Sequence, residues 1–259
     1  MDSLQLKAHL PWNRKSEFLT QILALDLAPE VAFKGPDLDD LQTDELDMLG
    51  EILAAKGLRP TVHAPFFDLN PGALDPLIRS ATHQRLSQSF EAAARINAQV
   101  MVIHPGFDRW RYPNLDEVWV NNACDFFTPY LARAQAYDCR LALENIYEET
   151  PTTLVHLVDN LSSDYFGHCF DIGHWNLFAK TSMPDWLHAL RDRLIHLPLH
   201  DNHGKADDHL PVGDGVIDFD LLFSSLPQSS APTITLEAHS LSCLQRSLQQ
   251  VAPYLVQQS

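Results

Sequence analysis

The feature that most constrains this chain is a regular alternation of two kinds of segment. Eight short apolar, β-rich runs recur along it: "LQLKAHL" 4–10, "EVAFK" 30–34, "LRPTVHA" 58–64, "QVMVIHP" 99–105, "RLALENI" 140–146, "FGHCFDI" 166–172, "RLIHLPLH" 193–200 and "TITLEAH" 233–239. Between them lie stretches with helical spacing, such as "DELDMLGEILAAKG" 44–57, closed by Gly57, and "LIRSATHQRLSQSFEAAARINA" 77–98. Alternating strands and helices imply parallel strands joined by helical crossovers. Eight such units in 259 residues predict an α/β chain closed into a (β/α)8 barrel, a single domain over 1–259. No glycine-rich dinucleotide or phosphate loop follows any run, which argues against an open doubly wound sheet. The final "LSCLQRSLQQVAPYLVQQ" reads as a closing helix.

A barrel of this kind carries its site at the C-terminal ends of its strands, so the residues that end each run matter most. Those ends are His63, His104, Glu144, Asp171 with His174 three residues on, and Glu237. Side chains alternate faces along a strand, so Ala142, Cys169 and Thr235 share a face with Glu144, Asp171 and Glu237 and leave room above them. Carboxylates gathered at one mouth repel unless cations neutralise them, and a mixed imidazole and carboxylate set suits a divalent ion such as zinc or manganese. Other acidic and imidazole positions have plainer readings. His9 and His239 read as hydrogen-bonded residues rather than ligands, "DELD" and "DLDD" as solvated faces, "HPGF" as a strand-ending turn, and "DFDLL" 218–222 as a capped helix start.

Charge and composition narrow the partners. Thirty-four acidic residues against 18 basic ones give a formal charge of −16, a field that repels nucleic-acid phosphates. No long apolar run or leader is present, so the chain is expected to be cytoplasmic and free of the membrane. Four well-separated cysteines without a CxxC pair suit reduced thiols. The oligomeric state is left open.

Taken in order, several stretches resemble the xylose isomerase-like TIM barrels, a superfamily of sugar isomerases and epimerases, inosose dehydratase-like lyases and endonuclease IV. They are "VHAPFFDLNPGALDP" 62–76, "VIHPG" 102–106, "ALENIYEETP" 142–151, "CFDIGHWNL" 169–177, "LHDNHGKADDHLPVGDGVID" 199–218 and "TLEAH" 235–239. The resemblance implies one to three divalent ions per chain. One is held by Glu144, Asp171 and Glu237 with a strand-seven histidine, a second by His63, His104 and Glu144, and a third by His174, Asp207 and His209. One position departs from the pattern: Pro198 stands where the strand-seven ligand is expected. Proline offers no ligand atom and no amide N–H. His196 and His200 lie two residues to either side and share its face, so His200, nearer the mouth, or a water is expected to complete the shell.

The resemblance further implies metal-dependent isomerisation or epimerisation of a small sugar, sugar phosphate or polyol, with Glu144 and Glu237 as the paired acid and base. His200, Asn145, Lys34 and Trp175 are candidates to line the substrate pocket. Phosphoester hydrolysis as in endonuclease IV, dehydration by the same proton abstraction, and a barrel without catalysis that binds a ligand or a partner are the competing readings.

Overall fold

In a computed structural model that describes residues 6–227 and 232–256, the eight apolar runs form eight parallel strands, and each pairs with the next until the last pairs with the first. They are β1 Leu6–Pro11, β2 Ala28–Ala32, β3 Thr61–His63, β4 Val100–Ile103, β5 Arg140–Glu144, β6 Phe166–Cys169, β7 Leu194–Leu199 and β8 Thr233–Leu236. The expected first run begins at residue 4, and positions 4 and 5 lie outside the described residues. β2 begins two residues earlier than expected and stops at Ala32, because Lys34 already caps the short helix Gly35–Asp39. The run expected at 166–172 ends as a strand at Cys169, and Asp171 instead caps the helix that follows.

Helices α1 Lys15–Ala24, α2 Gly35–Asp39, α3 Thr43–Ala55, α4 Pro76–Arg95, α5 Asp116–Ala136, α6 Thr152–Leu161, α7 Ile172–Phe178, α8 Met183–Leu190, α9 Phe219–Ser225 and α10 Leu241–Val256 surround the barrel. Gly57 takes φ +66 just past α3, the left-handed turn that its place in the sequence predicts. Asp75 and Asp218 cap α4 and α9 by accepting from Leu77 N and Leu221 N at 2.8 Å each.

Two apolar layers follow from the alternation of strand faces. Outward residues such as Val62, Met101, Leu141, Leu197 and Leu236 pack with helix residues Phe90, Phe127 and Leu157 in the main core. Inside the barrel a small cluster of Val100, Val102, Ala142, Cys169 and Ile195 lies beneath the mouth. Among the described residues no helix is long and apolar enough to cross a membrane.

Candidate metal centre

The strand ends bring their polar side chains to one place. His63 closes β3, His104 follows β4, Glu144 closes β5 and Glu237 follows β8. Oε2 of Glu144 lies 3.3 Å from Nε2 of His63 and 3.4 Å from Nε2 of His104, and Oε1 lies 3.1 Å from Nδ1 of His174. Asp171, as the cap of α7, accepts from the His174 N–H at 2.7 Å and points its carboxylate at Nε2 of His200, 3.1 and 3.2 Å away. His200 in turn lies 3.9 Å from Glu237, and the inward face expected for it is the one it takes.

Asp207 and His209 reach the same mouth from the long loop after β7. His209 Nε2 is 3.0 Å from Asp207, its Nδ1 is 3.2 Å from Glu237, and Asp207 also faces His174 at 3.4 Å. The His209 ring stacks on His200 at 4.0 Å between centroids, held by a backbone at φ +47. Each of three trios offers one ligand atom per residue within 4.8 Å of the others: His63, His104 and Glu144; Glu144, Asp171 and His174; Asp171, His200 and Glu237. His200, Asp207 and His209 form a further one.

These separations suit a shared ion. Two ligands about 2.1 Å from a tetrahedral metal lie about 3.4 Å apart, close to the spacings around Glu144. Buried Oε2 of Glu144 makes no hydrogen bond although two imidazoles face it, so the groups converge on a point rather than on one another. Burial raises the Glu237 carboxyl to about 8, with Asp171 and Glu144 adding to the effect against His200. Glu144 is also buried, but His104, His174 and His63 hold it well below the ordinary carboxylate range. A cation bound among these groups would favour the ionised form of Glu237 and offset the repulsion between the acids.

The other expected pocket residues take varied places. Asn145 spends both ends of its amide on the Asp171 backbone, donating to the carbonyl at 2.8 Å and accepting from the N–H at 2.9 Å, and so fixes β5 to the end of β6. The Trp175 indole donates to Thr181 O at 3.1 Å, tying down the turn after α7. Lys34 is exposed beyond β2, outside the ligand trios.

Three mouth residues had no clear signal in the sequence. Phe66 stacks on the His104 ring at 4.1 Å between centroids. His9 and Glu30 face Glu237 from β1 and β2. Strand parity could have placed the last two inward, since Glu30 pairs with His9 across the ladder.

The sequence model of the xylose isomerase-like TIM barrel family matches residues 27–252. A protein of uncharacterised function from Methanocaldococcus jannaschii is 31% identical over 165 residues, 61% of this chain and 56% of that relative, so the match spans little more than half of the relative's length. A probable endonuclease 4 from Mycobacterium leprae is 26% identical over 201 residues, 71% of this chain and 75% of the relative. Among solved structures, a Thermus thermophilus protein soaked with ZnCl2 superposes with a TM-score of 0.85 at 26% identity, over 98% of this chain and 99% of that one. A D-tagatose 3-epimerase-like protein superposes with a TM-score of 0.84 at 24% identity, over 98% of each chain, and shares the fold. With its eight-stranded barrel and a match from β2 to α10, the chain belongs to the xylose isomerase-like TIM barrel family.

Proposed function

We propose that the protein is a metal-dependent isomerase or epimerase of a small sugar, sugar phosphate or polyol. One observation carries the reading: two buried glutamates, one ending β5 and one just past β8, reach the same mouth on either side of the Asp171–His200 contact, each among groups that could hold an ion. Two carboxyls flanking one carbon can serve as base and acid in turn. Glu144, ionised, takes the proton from the carbon beside a carbonyl. Glu237 would return one to the opposite face of that carbon, and the roles exchange in the reverse direction.

Glu144, Asp171, Glu237 and His200 would hold the central ion, with His200 in place of the ligand missing at Pro198. His63 and His104 would join Glu144 at a second, and His174, Asp207 and His209 would hold a third. A bound divalent ion supplies Lewis-acid polarisation of the carbonyl. His174, its ring 3.1 Å from both the Asn145 carbonyl and Glu144, orients the base. The family and the zinc-soaked relative support zinc, with manganese the other candidate.

The test is incubation of the zinc- or manganese-loaded protein with ketohexoses in D2O. Solvent deuterium is expected at the carbon next to the carbonyl, with one to three ions per chain, and Glu144→Gln and Glu237→Gln each lower the rate roughly 100-fold or more. Turnover without deuterium incorporation would rule out this proton-transfer mechanism.

A second reading rests on the ligand trios and the endonuclease 4 relative: hydrolysis of a phosphoester by clustered ions. The charge of −16 opposes a duplex substrate. Incision of abasic DNA by the loaded protein decides for this reading.

A further inference from the structure

On the side of the mouth formed by β1, β2 and β8, three groups face one another without touching. An imidazole nitrogen of His9 and a carboxylate oxygen each of Glu30 and Glu237 lie within 4.8 Å of one another, but among the described residues His9 has no ion pair inside 4.0 Å. Glu30 is fully buried in the barrel. Its Oε2 is taken by Nε2 of His196 at 2.9 Å and by the hydroxyls of Thr61 at 2.8 Å and Thr235 at 3.0 Å. Its Oε1 has no hydrogen-bond partner, and neither has the buried Nδ1 of His9.

Spacing bears on what these three groups can hold together. Ligands on a metal at about 2.1 Å lie about 3.4 Å apart, which matches the trio around Glu144 but is shorter than any His9 to carboxylate separation. Two partners hydrogen-bonded at about 2.8 Å to one tetrahedral oxygen lie about 4.6 Å apart, inside the observed 4.0 to 4.8 Å window. The oxygen must also act in both directions, because Glu30 can only accept and a neutral His9 ring can donate. An alcohol does both.

We infer that His9, Glu30 and Glu237 form a subsite for one hydroxyl of a polyol or ketose. The inference rests on the proposed sugar chemistry and deepens it. It fixes a third oxygen of the substrate, beyond the reacting carbonyl and its neighbouring hydroxyl, beside the carboxyl that delivers the proton. His196, Thr61 and Thr235 are the positioning residues, since they occupy one oxygen of Glu30 and leave the other without a hydrogen-bond partner.

The test titrates D-fructose, D-tagatose and their monodeoxy analogues into metal-loaded wild-type, His9→Phe and Glu30→Gln proteins by calorimetry, with ions per chain counted in each. One monodeoxy analogue is expected to bind the wild type roughly tenfold more weakly than its parent, the scale of one lost charged hydrogen bond. In both variants that difference shrinks to within about twofold and the ion count does not change. Loss of an ion in either variant overturns the subsite, as does full discrimination retained in His9→Phe, which leaves the buried Glu30 network untouched. Should no ketose bind the wild type, the sugar reading fails by itself. A crystal structure of the loaded protein then judges the subsite: an ordered oxygen bonded to His9 and Glu30 supports it, and an ion there or no oxygen refutes it.

Discussion

Gly173, one residue before His174, shows how closely this site is fitted. A Cβ built there collides with the His200 imidazole, so the first turn of α7 must be bare for the ring to reach Asp171. Gly173→Ala is expected to leave the barrel folded and to weaken zinc binding about 10- to 100-fold, the usual cost of disturbing a ligand's support, as read by competition with a chelator. Unchanged affinity would show that His200 is no ligand. Glu148 makes a different prediction. It is buried with Oε2 accepting from Ile146 N at 2.7 Å, Oε1 makes no hydrogen bond, and burial raises its carboxyl to about 7. Unfolded, it returns to the ordinary value near 4.5. The unfolded state therefore sheds its proton first, and stability falls as pH rises from about 4.5 to about 7 and stays lower above that. Glu148→Gln, uncharged throughout, is expected to be more stable than wild type at pH 8 by on the order of 3 kcal/mol, with the difference fading by pH 4.5 in denaturant titrations. A difference that does not depend on pH would sink this account.

At the scale of elements, the loop after β7 is organised from a single carboxylate. Asp201 is buried at the strand exit and accepts from the N–H groups of Asn202 at 2.8 Å, Gly213 at 3.1 Å, Gly215 at 2.8 Å and Ile217 at 3.2 Å. Its backbone also pairs with Leu210, so both ends of the segment bearing Asp207 and His209 are held. Asp201→Ala strands several buried donors, each costing about 1–3 kcal/mol. The expected outcome is faster hydrogen exchange over 202–217 and loss of the ion at Asp207 and His209, with zinc retained at His63, His104 and Glu144. Uniform loss of all ions would contradict so local a role. The same scale shows what the sequence makes legible. Parallel strands covered on both faces are apolar runs, and their terminal acids and imidazoles stand out against them, so all eight strands and the strand-end residues His63, His104, Glu144, Asp171 and Glu237 could be read before any fold. Their grouping comes from the family resemblance, and the trio of His200 with Asp207 and His209 is not among those expected. Glu30 could not. It sits within an apolar strand, and its partner His196 is 166 residues away on β7, a pairing that only barrel closure creates. The boundary of β2 escaped for a local reason, since the helix cap at Lys34 competes with the strand for the same residues.

For the whole molecule, the mouth is where most of the strands meet through their polar ends. The ligand trios draw on the ends of six of the eight strands, β3 through β8, and the carboxylates of Glu144, Asp171 and Glu237 are buried while Asp207 is exposed. Without cations, repulsion among the carboxylates gathered at the mouth works against closing the barrel, and the net charge of −16 adds to it through self-repulsion. Binding ions to the folded chain alone stabilises it by mass action, about 4 kcal/mol at a thousandfold excess over Kd. A domain of this size shifts its melting point by about 2–4 °C per kcal/mol. Removing the ions with a chelator is therefore expected to lower Tm by roughly 8–16 °C, and zinc or manganese but not sodium restores it. In the Glu144→Gln protein, which lacks the carboxylate shared by two trios, the shift should be at most half as large. A chelator that leaves Tm unmoved while abolishing metal content would separate the site from the stability of the barrel and leave its buried acids to be balanced by the imidazoles alone.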